Sequence, residues 1–243
     1  MISPRERLIV ALDVSSAKDA QKIVSSLGDA VQTYKVGMQL YTAEGPRVVR
    51  DLVASGRKVF LDLKYHDIPN TVAAAVREAA QLEVSMLTVH ASGGTKMLHA
   101  AVEAAREKES HPQILAVTVL TSMDDQDLNE TGVHGQVVDQ VVWLASLALE
   151  AGCSGVVSSA REVKTLRAKL GRDFLAVTPG VRPAGAAHGD QARVTTPAEA
   201  IAAGATHIVV GRPISAAANP AQEAAKILQE LGTLLSPLQT QHA

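Results

Sequence analysis

Leu8-Ile9-Val10-Ala11-Leu12-Asp13-Val14-Ser15-Ser16 is a short apolar run that stops at a carboxylate and turns at once into polar residues. Five apolar residues in succession fit a strand covered on both faces, as in parallel sheets, and not the alternation of a half-solvated strand. The Ala-containing amphipathic stretch at 17–27 then has helical spacing, so the unit is strand, turn, helix. Its turn lacks the G-x-G-x-x-G of a dinucleotide-binding first turn.

Outward from this unit, the same alternation runs to the far end of the chain. Strands are expected at 8–13, 33–36, 58–63, 86–90, 114–119, 155–158, 174–178 and 207–210. Helices are expected at 17–27, 43–55, 70–82, 95–107, 137–151, 161–170, 196–203 and 220–231. Gly28, Gly56, Gly152, Gly171, Gly204 and Gly232 stand at helix exits, where a left-handed cap turns the chain toward the next strand. Eight such units at roughly 30 residues each make about 240 residues, which matches the chain's 243. The expected fold is therefore an α/β protein of the (β/α)8 TIM-barrel class. No linker-like shift in composition divides it, so one domain over 1–243 is expected, with 236–243 as a frayed tail.

Composition agrees with that layering. The chain is 47% apolar, with one Trp, three Tyr and two Phe, so Ala, Val, Leu and Ile must fill the core. A formal charge of −2 and no basic stripe among aromatics exclude the electrostatic footprint of a nucleic-acid binder. The single Cys153 permits no intrachain disulfide and no cysteine zinc site, which suits a reducing cytoplasm. The run at 8–12 is too short for a signal-peptide core or a membrane span, so a soluble cytoplasmic chain without membrane partners is expected.

Chemistry concentrates in Lys58-Val59-Phe60-Leu61-Asp62-Leu63-Lys64-Tyr65-His66-Asp67-Ile68-Pro69-Asn70-Thr71. Strand period two puts Asp62 and Lys64 on one face, and since helices cover the outside of a barrel strand, that face points inward. Two buried charges are costly unless paired, so they form either a plug of the barrel mouth or a catalytic pair. Asp13 ends the first strand and Lys35 lies in the second, with Asp67 in the loop after the third. Lysines and aspartates alternating around one mouth can hold an ammonium protonated and aimed as a proton donor.

A second group lies in Thr178-Pro179-Gly180-Val181-Arg182-Pro183 and Val210-Gly211-Arg212-Pro213, after the seventh and eighth strands. Barrels often bind phosphate there through backbone N–H groups, with arginine adding paired contacts. Gly-Arg alone also fits a surface turn, and it is the matching placement after adjacent strands that favours phosphate. Two connections, 120–136 and 179–195, are long enough to act as lids at the catalytic end. His90, ending the fourth strand, fits a hydrogen-bonded structural histidine, and no partners at metal spacing accompany it. Thr121-Ser122 fits a contact to a planar base and a turn cap equally.

The stretch Asp62-Leu63-Lys64-Tyr65-His66-Asp67-Ile68-Pro69-Asn70-Thr71 resembles the D-x-K-x-x-D-I-P-N-T signature of the orotidine 5′-monophosphate decarboxylase family. Leu12-Asp13, Lys35-Val36-Gly37, His90-Ala91-Ser92-Gly93-Gly94, Val119-Leu120-Thr121-Ser122, the two arginine loops and Gly189-Asp190-Gln191 match in order, from about residue 8 to 231. The form resembled most is the bacterial, single-function one. The resemblance implies decarboxylation of orotidine 5′-monophosphate to uridine 5′-monophosphate and CO₂, the last step of de novo pyrimidine nucleotide synthesis, without metal or organic cofactor. By the same resemblance Lys64 would protonate C6, Asp62 would lie beside the departing carboxylate, Lys35 would bridge the charges to the ribose and Asp13 would hold the ribose hydroxyls. Thr121 and Ser122 would meet the pyrimidine, and Arg182, Gln191, Gly211 and Arg212 would grip the phosphate. Asp67 and Thr71 would reach the neighbouring subunit's site in a homodimer. Two rivals remain. One is a Mg²⁺-dependent sugar-phosphate decarboxylase of the same barrel type, opposed by Ile68-Pro69-Asn70-Thr71 and Thr121-Ser122. The other is a non-catalytic nucleotide-phosphate binding barrel, opposed by the intact Lys35, Asp62 and Lys64.

Overall fold

The structure, a computed structural model, describes residues 2–109, 111–183 and 195–235. Among them eight strands, β1 (Leu8–Ala11), β2 (Thr33–Gly37), β3 (Lys58–Tyr65), β4 (Met86–His90), β5 (Gln113–Val117), β6 (Gly155–Val157), β7 (Leu175–Thr178) and β8 (His207–Val210), pair in sequence order. All pairs are parallel, and β8 closes on β1 through Leu8↔Ile208 and Val10↔Val210, which makes the array a closed (β/α)8 barrel.

Period-two alternation divides the core into two layers. Ile9, Ala11, Phe60, Met86, Leu115, Val177 and Val209 fill the barrel interior. Their neighbours Leu8, Val10, Leu61, Leu87, Val89 and Ile208 face outward and pack under the helices. The large helices are Ala17–Leu27, Pro69–Gln81, Gly94–Arg106, Val137–Glu150, Ala160–Leu170 and Pro220–Leu235, with shorter ones at Arg47–Ala54 and Pro197–Ala202. Among the described residues no helix is long and apolar enough to cross a membrane. Cys153 is buried, and burial pushes its thiol up to about 12, as suits an inert core filler.

The departures from the sequence reading have local causes. In place of one helix over 43–55 there are two, Met38–Glu44 and Arg47–Ala54. Gly45 caps the first at φ +66°, its N–H donating to the Tyr41 carbonyl, and Pro46 follows without an N–H to continue the ladder. The long connection after β5 contains the helix Asp125–Glu130, started by an Asp124 capping box. β1 ends at Ala11, two residues earlier than expected, although the Leu12 N–H still donates to the Lys35 carbonyl. Asp13 therefore stands just above the last β1 bond. The most consequential departure is in β3, which continues to Tyr65. Its register with β4 passes from Leu61↔Leu87 to Tyr65↔Val89, so four residues of advance on β3 answer two on β4. Lys64 sits in this bulge with φ +53°, a left-handed conformation that a side chain makes unfavourable.

Candidate active site

A cavity of about 540 Å³ opens at the C-terminal end of the barrel, within the size range of small-ligand sites. Its floor is the inner aliphatic layer, with Ala11, Phe60, Val117, Val157 and Val209. Above the floor the two ionic groups expected from the sequence stand on separate walls.

One wall is a continuous chain of charges across β1, β2 and β3. The Asp13 carboxylate receives the Lys35 ammonium at 2.8 Å, the other side of Lys35 lies 3.7 Å from Asp62 Oδ2, and Asp62 Oδ1 receives Lys64 Nζ at 2.8 Å. Lys35 and Asp62 are each only 13% exposed, so their attraction is little screened, and each buried charge has an opposite partner. Gly37 makes room for this chain, because a Cβ there would stand 2.9 Å from the Lys35 ammonium. The pair Asp62 and Lys64 meets as expected, but through the bulge and not through simple alternation. The turn at Lys64 is held by Thr88 of β4, whose buried hydroxyl accepts from the Lys64 backbone N–H at 2.9 Å and donates to Asp62 Oδ1 at 3.0 Å.

The wall that continues past β1 carries Pro179, Gly180 and Arg182 from the β7 loop and Gly211, Arg212 and Pro213 from the β8 loop. Arg182 is only 8% exposed, and its N–H donates to the Thr195 carbonyl. Burial first, and the neighbouring Arg212 charge second, hold its guanidinium below the usual arginine value. Two guanidiniums side by side in a partly dry wall repel, which an anion seated between them would relieve. Thr121 and Leu120 from the β5 loop close the cavity between the two walls, together with Gln39.

Several expected residues stand elsewhere. Ser122, in a turn beside Thr121, is exposed and does not line the cavity. Gln191 lies outside the described residues, as does most of the 179–195 connection. Asp67 and Thr71 are exposed beside the mouth and line no part of this chain's own cavity. Asp67 Oδ1 instead accepts from the Ile68 N–H at 2.7 Å. His90 is half-buried with its ring 5.5 Å from that of His66, and burial, then His66, then the Lys64 charge lower its pKa, so it is neutral near pH 7. Among the described residues no three His, Cys, Asp or Glu side chains are placed to hold a metal ion. The reading of the sequence missed Thr88, since a threonine inside a β-branched strand has no distinguishing pattern of its own. The one available signal was its inward position, two residues before His90.

Comparison with known proteins points the same way. The sequence model of the family described as Orotidine 5'-phosphate decarboxylase / HUMPS family matches residues 6–227. The protein named Orotidine 5'-phosphate decarboxylase from Idiomarina loihiensis is 50% identical over 226 residues, 93% of this chain and 98% of its own length. Its namesake from Nitrosococcus oceani is 51% identical over 216 residues, 89% of this chain and 93% of the relative. The crystal structure of Orotidine 5'-phosphate decarboxylase from Lactobacillus acidophilus superposes with a TM-score of 0.83 at 42% identity, covering 92% of this chain and 98% of that one.

Proposed function

The chain belongs to the orotidine 5′-phosphate decarboxylase / HUMPS family, and we propose that its charged wall and its arginine wall divide the work of that family's reaction between them. Like that family's members, it decarboxylates orotidine 5′-monophosphate to uridine 5′-monophosphate and CO₂ in pyrimidine biosynthesis.

The C6–carboxylate bond breaks heterolytically, CO₂ leaves, and the electron pair remains at C6 of the pyrimidine. That pair lies in the ring plane, where no carbonyl can delocalise it directly. Charge stabilisation must come from outside the ring, and a fixed ammonium in a nearly dry cavity is well suited to supply it. Lys64 fills this role. Its ammonium, held 2.8 Å from Asp62 Oδ1, gives a proton to C6 and takes another from solvent after product leaves. Asp62 stands beside the departing carboxylate and orients Lys64. Lys35 keeps the two carboxylates of Asp13 and Asp62 from repelling each other, while Asp13, half-exposed at the rim, meets the ribose hydroxyls.

Arg182 and Arg212 grip the phosphate, with Gly211 allowing the backbone a close approach, and Thr121 contacts the pyrimidine. Gln191 joins the phosphate group by the family motif. The enzyme is a cytoplasmic homodimer in which Asp67 and Thr71 complete the neighbouring site. Ile68, between them in sequence and 67% exposed, supports a covering subunit at this spot. The chain forms one barrel domain and works without metal or organic cofactor.

The observation that carries this reading is the unbroken Asp13–Lys35–Asp62–Lys64 chain lining one cavity with the two arginines. A spectrophotometric assay of the purified protein with orotidine 5′-monophosphate in EDTA tests it. Turnover that survives chelation is expected. Full loss restored by Mg²⁺ would move the mechanism to that of a metal-dependent sugar-phosphate decarboxylase.

A further inference from the structure

We propose that Thr88 is a positioning residue for the proton transfer, its single hydroxyl fixing both the backbone of Lys64 and the carboxylate of Asp62. The inference rests on the role assigned above to Lys64.

The register shift leaves Asp62, Leu63 and Lys64 of β3 facing one β4 residue, Thr88, between the pairs Leu61↔Leu87 and Tyr65↔Val89. Regular parallel pairing would send alternate β3 N–H groups to β2 and to β4 carbonyls. In the bulge that alternation is broken, and the Lys64 N–H goes to the Thr88 hydroxyl at 2.9 Å. The same oxygen lies 3.0 Å from Asp62 Oδ1. The direction of both bonds follows from the inventory of protons. A backbone N–H can only donate and a carboxylate can only accept, so the hydroxyl takes the first bond on a lone pair and spends its one hydrogen on the second. Thr88 is fully buried, so no water competes for either bond.

Two consequences bear on chemistry. First, Lys64 holds φ +53° although its side chain disfavours that region, and the bond from its N–H to Thr88 is the tertiary contact that fixes the turn there. The turn sets where the Lys64 stem leaves the strand, and so where its ammonium points. Second, Asp62 Oδ1 accepts from both Thr88 and Lys64 Nζ. When Lys64 passes its proton to carbon, the ammonium that held Asp62 becomes a neutral amine. The Thr88 hydroxyl remains, and it keeps the carboxylate from following the amine or swinging toward Lys35. Thr88 does not line the cavity, and the phosphate wall is independent of the bulge. Its contribution therefore belongs to the chemical step and not to substrate affinity.

Thr88→Val keeps the shape and removes the hydroxyl, leaving the Lys64 N–H buried without an acceptor. Thr88→Ser keeps the hydroxyl and removes only the methyl. Steady-state kinetics with orotidine 5′-monophosphate should show kcat of Thr88→Val reduced roughly 10- to 100-fold with KM little changed, and Thr88→Ser near wild type. Circular dichroism checks that each variant is folded. Should Thr88→Val not fold, Thr88→Ala and Thr88→Ser form a second pair differing by one hydroxyl, and Thr88→Ala should show the lower kcat with the same KM. An unchanged kcat in the folded variant lacking the hydroxyl, a loss that appears in KM, or a Thr88→Ser loss as large as the loss without hydroxyl would each overturn the inference. Wild-type protein inactive on orotidine 5′-monophosphate would instead overturn the assignment of Lys64, and this inference with it.

Discussion

His207, the first residue of β8, should make the protein lose stability on mild acidification, and the structure sets the size of the loss. The residue is 6% exposed at the end of the barrel opposite the active site, beside a second cavity lined in part by Glu6, Lys58 and His111. Burial, then the Arg7 charge, lower its pKa from the usual 6.5 to about 4, with Lys58 adding slightly and Glu6 opposing. Its Nδ1 lies 3.0 Å from the Thr206 hydroxyl, and the folded protein resists charging the ring. Because the folded pKa lies below the unfolded one, the unfolded chain binds more protons between them. Stability is complete above about pH 6.5 and falls as pH drops toward 4. At 1.36 kcal/mol per pKa unit, the loss relative to pH 7 is about 1 kcal/mol at pH 5.5 and about 2–3 kcal/mol at pH 4.5. Urea unfolding of wild type and His207→Gln across that range isolates the effect, since every other carboxylate and histidine titrates in both proteins. The variant starts lower because it disturbs a packed site, but its curve should fall less steeply. Parallel curves would refute the assignment of a neutral buried His207.

Orotidine lacking the phosphate should lose kcat along with affinity, because a phosphate held by Arg182 and Arg212 serves to close and dry the site as well as to bind; a change in KM alone would make that wall a passive clamp. Arg212→Ala should weaken binding of the product nucleotide in calorimetry while leaving binding of the unphosphorylated nucleoside unchanged, and an equal loss for both would remove the phosphate assignment. Equal mixtures of Lys64→Ala and Asp67→Ala chains that exchange subunits should recover about a quarter of wild-type activity, since half the dimers are mixed and each has one intact site. Confirmed exchange with no recovered activity would place the action of Asp67 within its own chain.

How far these features can be read from sequence depends on whether local pattern or tertiary pairing determines them. The barrel is readable because each βα unit carries its own signal. The apolar run before Asp13 and the helix at Ala17–Leu27 are both local, and repetition to eight units leaves little architectural choice. The split at Gly45-Pro46 was also written locally, in a glycine and a proline that end a helix, yet the apolar spacing at 43–55 masked it. The bulge at Lys64 was not readable, because alternation alone places Asp62 and Lys64 on one face. Only the pairing of β3 with β4 shows that Lys64 arrives there through a left-handed turn. Thr88 was hidden for the same reason, since its role exists only opposite that bulge. Asp67 and Thr71 illustrate a different limit. Their motif marks them as functional, while within one chain they are exposed and line no part of the cavity, so the role proposed for them needs a surface that a single chain does not contain.

In the proposed mechanism the Lys64 ammonium, aimed by Asp62, supplies the proton and the charge that make decarboxylation at C6 possible. Its most direct test is the ultraviolet decarboxylation assay with orotidine 5′-monophosphate on wild type and Lys64→Ala side by side. The predicted result is robust turnover by wild type and a loss in the variant of at least the roughly 10²- to 10⁴-fold expected for a positioned general acid, and more where charge stabilisation dominates. Turnover by folded Lys64→Ala within a few-fold of wild type would contradict it.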